Sequence, residues 1–212
     1  MNDLTELVLP TVAQELMASF EDMTLPSSDS VSLWALEKKR KIYIDRDITE
    51  DLIEIQRLIL RWNMEDKGKE VSEREPIWVY VMSYGGDMDY MWMLLDTISV
   101  SKTPVYTVNL GVAASAASLI FLSGQKRFMM PRARLIIHEG SAQMAGDAVK
   151  VMDQTESYKK MLKQMKDYIL SRTQIPRQQL MKKRNNDWEL DASYCLEHGA
   201  CDYIVNAMDE IM

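Results

Sequence analysis

Basic charge is what this sequence is short of: 25 lysines and arginines face 32 aspartates and glutamates, for a formal net charge of −7 and a pI near 5.0. Attachment to a phosphate backbone rests on clustered cations, so nucleic acid is not expected as a partner. Cysteine is scarce as well. Cys195 and Cys201 are the only two, they lie in a segment that reads as a helix running into a strand, and no second pair completes a metal site. A disulfide framework is therefore not expected, and the reading calls for neither a metal nor a cofactor. No run reaches the roughly 20 apolar residues of a membrane-spanning helix. The start, Met1-Asn2-Asp3-Leu4-Thr5-Glu6, lacks the basic residues and apolar core of a secretory signal. The expectation is a cytoplasmic protein with reduced thiols and no membrane contact.

What is present is a globular mixture, 47% hydrophobic and 27% charged over 212 residues, enough for one domain with a substantial core. Residues 1–30 hold a moderately amphipathic stretch, Leu7 to Met23, broken by Pro10. They end in the turn formers Leu25-Pro26-Ser27-Ser28-Asp29-Ser30. This reads as an N-terminal appendage with a linker, followed by a single domain over 31–212. Lys41 to Ile44 reads as a strand, and a helix opens at Thr49-Glu50-Asp51 with apolar positions from Leu52 to Trp62. The charged run Met64 to Glu75 reads as a solvated loop.

Strands and helices then alternate. Strands are expected at Ile77–Val81, Pro104–Leu110, Arg127–Met130, Arg134–Ile137 and Tyr203–Val205. Helices are expected at Met88–Val100, Ser115–Leu122, about Asp147–Arg172, Arg177–Arg184 and Ala192–His198. Strand, helix, strand in succession implies parallel pairing through helical crossovers, hence an α/β fold.

Four segments carry candidate chemistry. Gly111-Val112-Ala113-Ala114-Ser115-Ala116 joins an apolar strand to an apolar helix with small residues at the joint, as a nucleophile elbow requires. Ser115 would attack, and the Ala116 N–H would face the oxyanion. Close helix packing with Ser115 as an N-cap explains the same residues. Arg134-Leu135-Ile136-Ile137-His138 is a strand ending in one of only two histidines, where a general base belongs; a hydrogen-bonded histidine at a sheet edge is the alternative. His198, before Gly199, suits the last turn of a helix. Ser83-Tyr84-Gly85-Gly86-Asp87 follows a strand, and its glycines let backbone N–H groups approach a carbonyl. Asp187 is one of several nearby carboxylates, and chemistry alone does not choose it over Glu189, Asp191 or Asp202.

In this order the segments resemble the ClpP peptidase family over roughly residues 31–206. Ser83-Tyr84-Gly85-Gly86 is similar to Ser-Pro-Gly-Gly, Gly111-Val112-Ala113-Ala114-Ser115 to Gly-Met-Ala-Ala-Ser, and Ile136-Ile137-His138 to Met-Ile-His. Asn186-Asp187 with Ala192, Glu197, Gly199 and Asp202 is similar to the family's Arg-Asp, Ala, Glu, Gly, Asp pattern. The resemblance implies a crotonase-like α/β unit and a serine endopeptidase with Ser115 as nucleophile, His138 as base and Asp187 as the carboxylate orienting it. Gly86 and Ala116 would form the oxyanion hole. It also implies homo-oligomeric rings, heptameric or doubly heptameric, interlocked by the long helix Asp147 to Arg172, although an ordinary core helix accounts for that pattern too. Peptides or unfolded proteins would be the substrates. A Clp-type AAA+ ATPase would dock near Trp78, Tyr80, Phe128 and Met130, residues that core-facing strands would equally supply.

The chain departs from the family at Tyr84, which replaces a proline, and at Glu139-Gly140, which replaces Gln-Pro. Glu139, should its side chain lie beside His138, is expected to favour the imidazolium. These departures, with residues 1–30 and the charged run, leave a phage or prophage capsid-maturation (prohead) peptidase of the same fold as the alternative. A non-catalytic ring subunit and a crotonase-type acyl-CoA enzyme are further readings, and the filled triad argues against both.

Overall fold

The computed structural model describes residues 35–140, 142–183 and 187–212. The expected appendage over residues 1–30, its boundary at 31, and Asn186 of the Asn186-Asp187 pair lie outside the described residues. Residues Arg40–Met212 form one compact unit. In chain order its strands are β1 (Lys41–Ile44), β2 (Ile77–Ser83), β3 (Val105–Ala114), β4 (Lys126–Met129), β5 (Arg134–Ile137), β6 (Trp188–Asp191) and β7 (Tyr203–Ile204). Its helices are α1 (Leu52–Glu65), α2 (Met88–Val100), α3 (Ala116–Ser123), α4 (Ala148–Arg172), α5 (Arg177–Lys183) and α6 (Ala192–Glu197). The class is α/β, as the alternation implies.

The period of two along each strand divides the sheet into two faces. Ile77, Val79 and Val81 of β2 point into the main core, against α2 residues Met91, Leu94, Leu95 and Ile98, whose spacing forms one helical stripe. The intervening Trp78 and Tyr80 join Val108 and Phe128 in a second cluster on the other face. Helix α3 lies inside the core with all of its residues buried, which is why its sequence shows no polar stripe.

Sheet order is β1-β2-β3-β4-β7, with every pair on this path parallel. Strand β3 is long enough to hold two partners on one edge. Tyr106–Asn109 pair with β4, and Val112–Ala114 pair with β5. Between those partners, buried Asn109 bridges the gap: its Nδ2 donates to the Arg134 carbonyl at 2.9 Å, and its Oδ1 accepts from the Gly111 N–H at 3.1 Å.

Three expectations need correction. Strand β3 does not stop at Leu110 but continues to Ala114, because pairing with β5 recruits small residues of weak strand preference. The pairing is not wholly parallel: Trp188–Asp191, unassigned from sequence, forms β6 and runs antiparallel to β5. The charged run is not simply a solvated loop. Helix α1 claims its first residues, and Asp66 is fully buried.

Asp66 is buried because Arg40 is. The Arg40 guanidinium grips both Asp66 oxygens at 2.6 and 3.0 Å and donates to the Glu75 carbonyl at 2.8 Å. Thr103 Oγ1 and Lys69 Nζ donate to the same carboxylate at 3.0 and 2.7 Å. The Arg40 hydrogen bond, more than burial opposes it, holds the Asp66 carboxyl well below the usual carboxylate range.

A second buried arginine ties the base of α4 to the sheet. Arg127 binds Asp202 through Nε and Nη2 at 3.0 and 2.7 Å and donates to the Arg172 carbonyl at 2.7 Å. Arg172 in turn donates to the carbonyls of Leu122 and Gly124 at 2.9 and 2.7 Å.

Cys195 and Cys201 are both buried free thiols. Burial pushes Cys195 up and Cys201 up to about 11, and the thiolate is the reactive form. Iodoacetamide at pH 8 should therefore leave both unmodified in the native protein and alkylate both after denaturation, as intact mass would read.

Candidate active site

Strand β3 delivers Ser115 to the head of α3 in a conformation few residues adopt, φ 53° and ψ −126°. Such a backbone persists only where its surroundings over-determine it. Here the Ser115 N–H donates to the Ile136 carbonyl of β5 at 3.0 Å, while the Ser115 carbonyl accepts from Ser118 N and Oγ at 3.0 and 2.6 Å. The alternative of Ser115 as an N-cap fails, because its side chain makes no capping hydrogen bond. The hydroxyl is left free at the mouth of a cleft of about 270 Å³ lined by Tyr84, Gly86, Met88, His138, Glu139 and Tyr158, among others.

The glycine pair packs directly on this turn. A Cβ at Gly85 would lie 2.7 Å from the Ser115 Cβ and 2.8 Å from the Ala114 carbonyl oxygen. Gly86 is bracketed by a one-residue parallel bridge, in which Ile48 N donates to the Gly85 carbonyl and Asp87 N donates to the Ile48 carbonyl, each at 2.8 Å. In such a bridge the enclosed residue turns its own N–H and C=O to the opposite side. The Gly86 N–H thus points away from Ile48. On the expectation that the Gly86 N–H faces an oxyanion, Gly85→Ala should lower turnover by on the order of 10²–10³, the loss typical of a disrupted oxyanion site, because φ +107° and the contact with Ser115 leave no room for a methyl group. Steady-state turnover with thermal melting as a control reads this directly.

His138 follows β5 and is about one-third exposed. Its Nδ1 accepts the Gly140 N–H at 3.0 Å. Asp187 sits across from it because β6 pairs antiparallel with β5: Ile137 opposes Trp188, so the next residues outward are His138 and Asp187. The Asp187 Oδ1 stands 4.0 Å from Nδ1, with its carboxylate 76% exposed. That gap exceeds a hydrogen bond, and catalytic contacts of this kind often close only with substrate in place.

The other carboxylates that sequence left open have partners elsewhere. Glu189 pairs with Arg134 at 2.7 Å, Asp191 caps α6 through the Tyr194 N–H at 2.8 Å, and Asp202 holds Arg127. The signal that escaped the sequence reading is the four-residue alternation Trp188-Glu189-Leu190-Asp191, buried and exposed in turn.

Glu139 is held by α4. Its carboxylate binds Lys166 of α4 at 3.1 Å, and its carbonyl accepts from Tyr158 Oη at 2.9 Å. The charge meant to favour an imidazolium is thereby engaged by a lysine. His198 has the structural place expected of it: its ring stacks on Tyr194 at 3.9 Å, and its Nδ1 lies 3.1 Å from the Tyr194 carbonyl at the end of α6.

Trp78, Tyr80, Phe128 and Met130 gather on the sheet face opposite the main core. Trp78 lies 5.3 Å from Phe128 between ring centroids and 6.4 Å from Tyr80. Tyr80 donates its hydroxyl to the Ile211 carbonyl, and Tyr80 and Phe128 are buried beside Val205 and Ile211, while Trp78 and Met130 remain partly open. Among the described residues, no cluster of three or more His, Cys, Asp or Glu could hold a metal ion, and no helix is long and apolar enough to cross a membrane.

Comparison with known proteins gives this arrangement a context. The family model described as Clp protease matches residues 27–208. The ATP-dependent Clp protease proteolytic subunit 2 of Treponema pallidum is 31% identical over 183 residues, covering 84% of this chain and 88% of that protein. The subunit 2 of Treponema denticola is 29% identical over 191 residues, covering 82% and 94%. That of Borreliella burgdorferi is 31% identical over 172 residues, covering 79% and 83%. A match across most of both chains, on a sheet with this topology, makes the protein a peptidase that belongs to the Clp protease family.

Proposed function

We propose that this chain is a serine endopeptidase acting on unfolded or peptide substrates within a ring of its own copies, fed by a Clp-type AAA+ ATPase. Ser115 is the nucleophile, His138 the base that later protonates the leaving amine, and Asp187 the carboxylate that orients the imidazole and stabilises its cation. The Gly86 and Ala116 N–H groups receive the oxyanion. The observation that carries this reading is the strained turn at Ser115, which opens its free hydroxyl onto the cleft that His138 and Gly86 also line.

Helix α4 supports the ring. Its second half packs inward, with Met165 and Ile169 buried, whereas Val149 and Met152 in the first half are 70% and 69% exposed. A second copy is the proposed cover for those two exposed apolar side chains. The aromatic face with Trp78, Tyr80, Phe128 and Met130 is the proposed ATPase contact, since two of the four remain open to a partner.

A serine-directed fluorophosphonate tests the reading. Peptide mass spectrometry should find the adduct on Ser115 alone, with none in Ser115→Ala. An adduct on another serine, or no adduct on any chain that keeps Ser115, would refute the assignment.

A further inference from the structure

We propose that the Gly140 amide is a positioning group that holds His138 in the tautomer unable to act as base, so that the site opens for reaction only when residues 139 and 140 release it. This rests on the reading of His138 as the base. A backbone N–H can only donate, so the 3.0 Å bond from Gly140 N to His138 Nδ1 requires a lone pair on Nδ1. In neutral imidazole the proton then sits on Nε2. A base for Ser115 needs the reverse: Nδ1–H held by Asp187 and a lone pair on Nε2 to take the hydroxyl proton.

Gly140 and Asp187 therefore compete for one ring atom. The amide, at 3.0 Å, holds it in this structure, and the carboxylate stands off at 4.0 Å. For the site to work, the ring gives its Nε2 proton to solvent and takes one from solvent on Nδ1, where it is hydrogen-bonded to Asp187. The Gly140 N–H meanwhile finds another acceptor.

The position of that amide is set by α4. Tyr158 Oη donates to the Glu139 carbonyl at 2.9 Å, and Lys166 Nζ binds the Glu139 carboxylate at 3.1 Å. These two tethers fix the residue between the ring and the amide. Gly140 itself has φ +73°, and a Cβ there would meet only the Tyr158 hydroxyl, 3.8 Å away. Space does not demand glycine, so a side chain can be added without a clash.

With two histidines in the chain, ¹⁵N-histidine labelling and magic-angle-spinning NMR of the assembled protein can read both rings. His198, whose Nδ1 faces the Tyr194 carbonyl, supplies the Nδ1–H signature as an internal standard. The wild type should show His138 protonated on Nε2. Gly140→Asn keeps the N–H in a residue that tolerates positive φ, and should leave that signature in place. Gly140→Pro removes the donor and cannot hold φ +73°. It should move the proton to Nδ1 and raise the rate of fluorophosphonate labelling by about two- to tenfold, as expected for loss of one competing hydrogen bond. Should the proline variant not fold, Tyr158→Phe loosens the same segment and should shift both readouts the same way. Nδ1–H on wild-type His138 overturns the inference whether or not Ser115 reacts, and so does an unchanged labelling rate once Nδ1 is protonated. An Nε2–H wild type whose Ser115 never reacts in any variant overturns the peptidase reading and leaves the tautomer assignment standing.

Discussion

Ser115→Ala is expected to lower hydrolysis of a short fluorogenic peptide by about 10⁴-fold or more, the range seen when a serine nucleophile is deleted, with the oligomeric mass by light scattering unchanged. The two results belong together. Alanine keeps the Cβ that packs against Gly85, and the bonds to Ile136 and Ser118 use only the Ser115 backbone. The substitution therefore removes the hydroxyl oxygen and little else. Activity within about tenfold of wild type would take the nucleophile's role from Ser115, while a collapsed assembly would mean that the turn depends on the hydroxyl after all.

The largest effect on stability should come from a residue far from the cleft. Asp66→Asn or Asp66→Ala is expected to destabilise the fold by about 3–5 kcal/mol, because each removes the one buried counter-charge of the Arg40 guanidinium and leaves only the half-exposed Glu65 at 3.8 Å. Asparagine keeps the volume, so a loss of similar size in both variants would assign the effect to charge, whereas a loss in alanine alone would assign it to packing. Urea midpoints at constant m-value separate these cases.

The same carboxylate has a predictable pH dependence. Its folded pKa is depressed, so the unfolded state takes up a proton first as the medium turns acidic. The contribution is present in full above the ordinary carboxylate range near pH 4. It falls away below that as pH drops through the depressed folded value. Asp66→Asn should lack this component, so its stability should decline less steeply than wild type below pH 4.

Much of this was legible in the residues. The boundaries of β1 and α2 follow from the period of their apolar positions, and that of β5 from its unbroken apolar run Leu135-Ile136-Ile137, buried throughout. Ser115 and His138 stand out because small residues at a strand-to-helix joint and a histidine at a strand end are unusual placements. Asp187 was different: one carboxylate among several by its chemistry, it was singled out only by the family resemblance, and its place across from His138 follows from the β5–β6 register, which a strand as short and acidic as β6 does not announce. Asp66 was misread for a related reason, as its partner Arg40 lies 26 residues away and no local pattern links them. The orientation of Glu139 toward Lys166 likewise belongs to tertiary packing, which local spacing does not encode.

The ladder arrangement also bears on how such a site tolerates change. Ser115, His138 and Asp187 end three successive strands, with β5 in the middle touching both neighbours. A slip of β5 by one residue, about 3.3 Å, would misplace the histidine against the serine and the aspartate at once. A slip of β6 would disturb only the aspartate. Errors in the two outer strands can therefore be repaired one at a time, but the central strand must be right from the outset. Insertions or deletions in the Met130–Arg134 turn ahead of β5 should thus be far less forgiving than equal changes before β6.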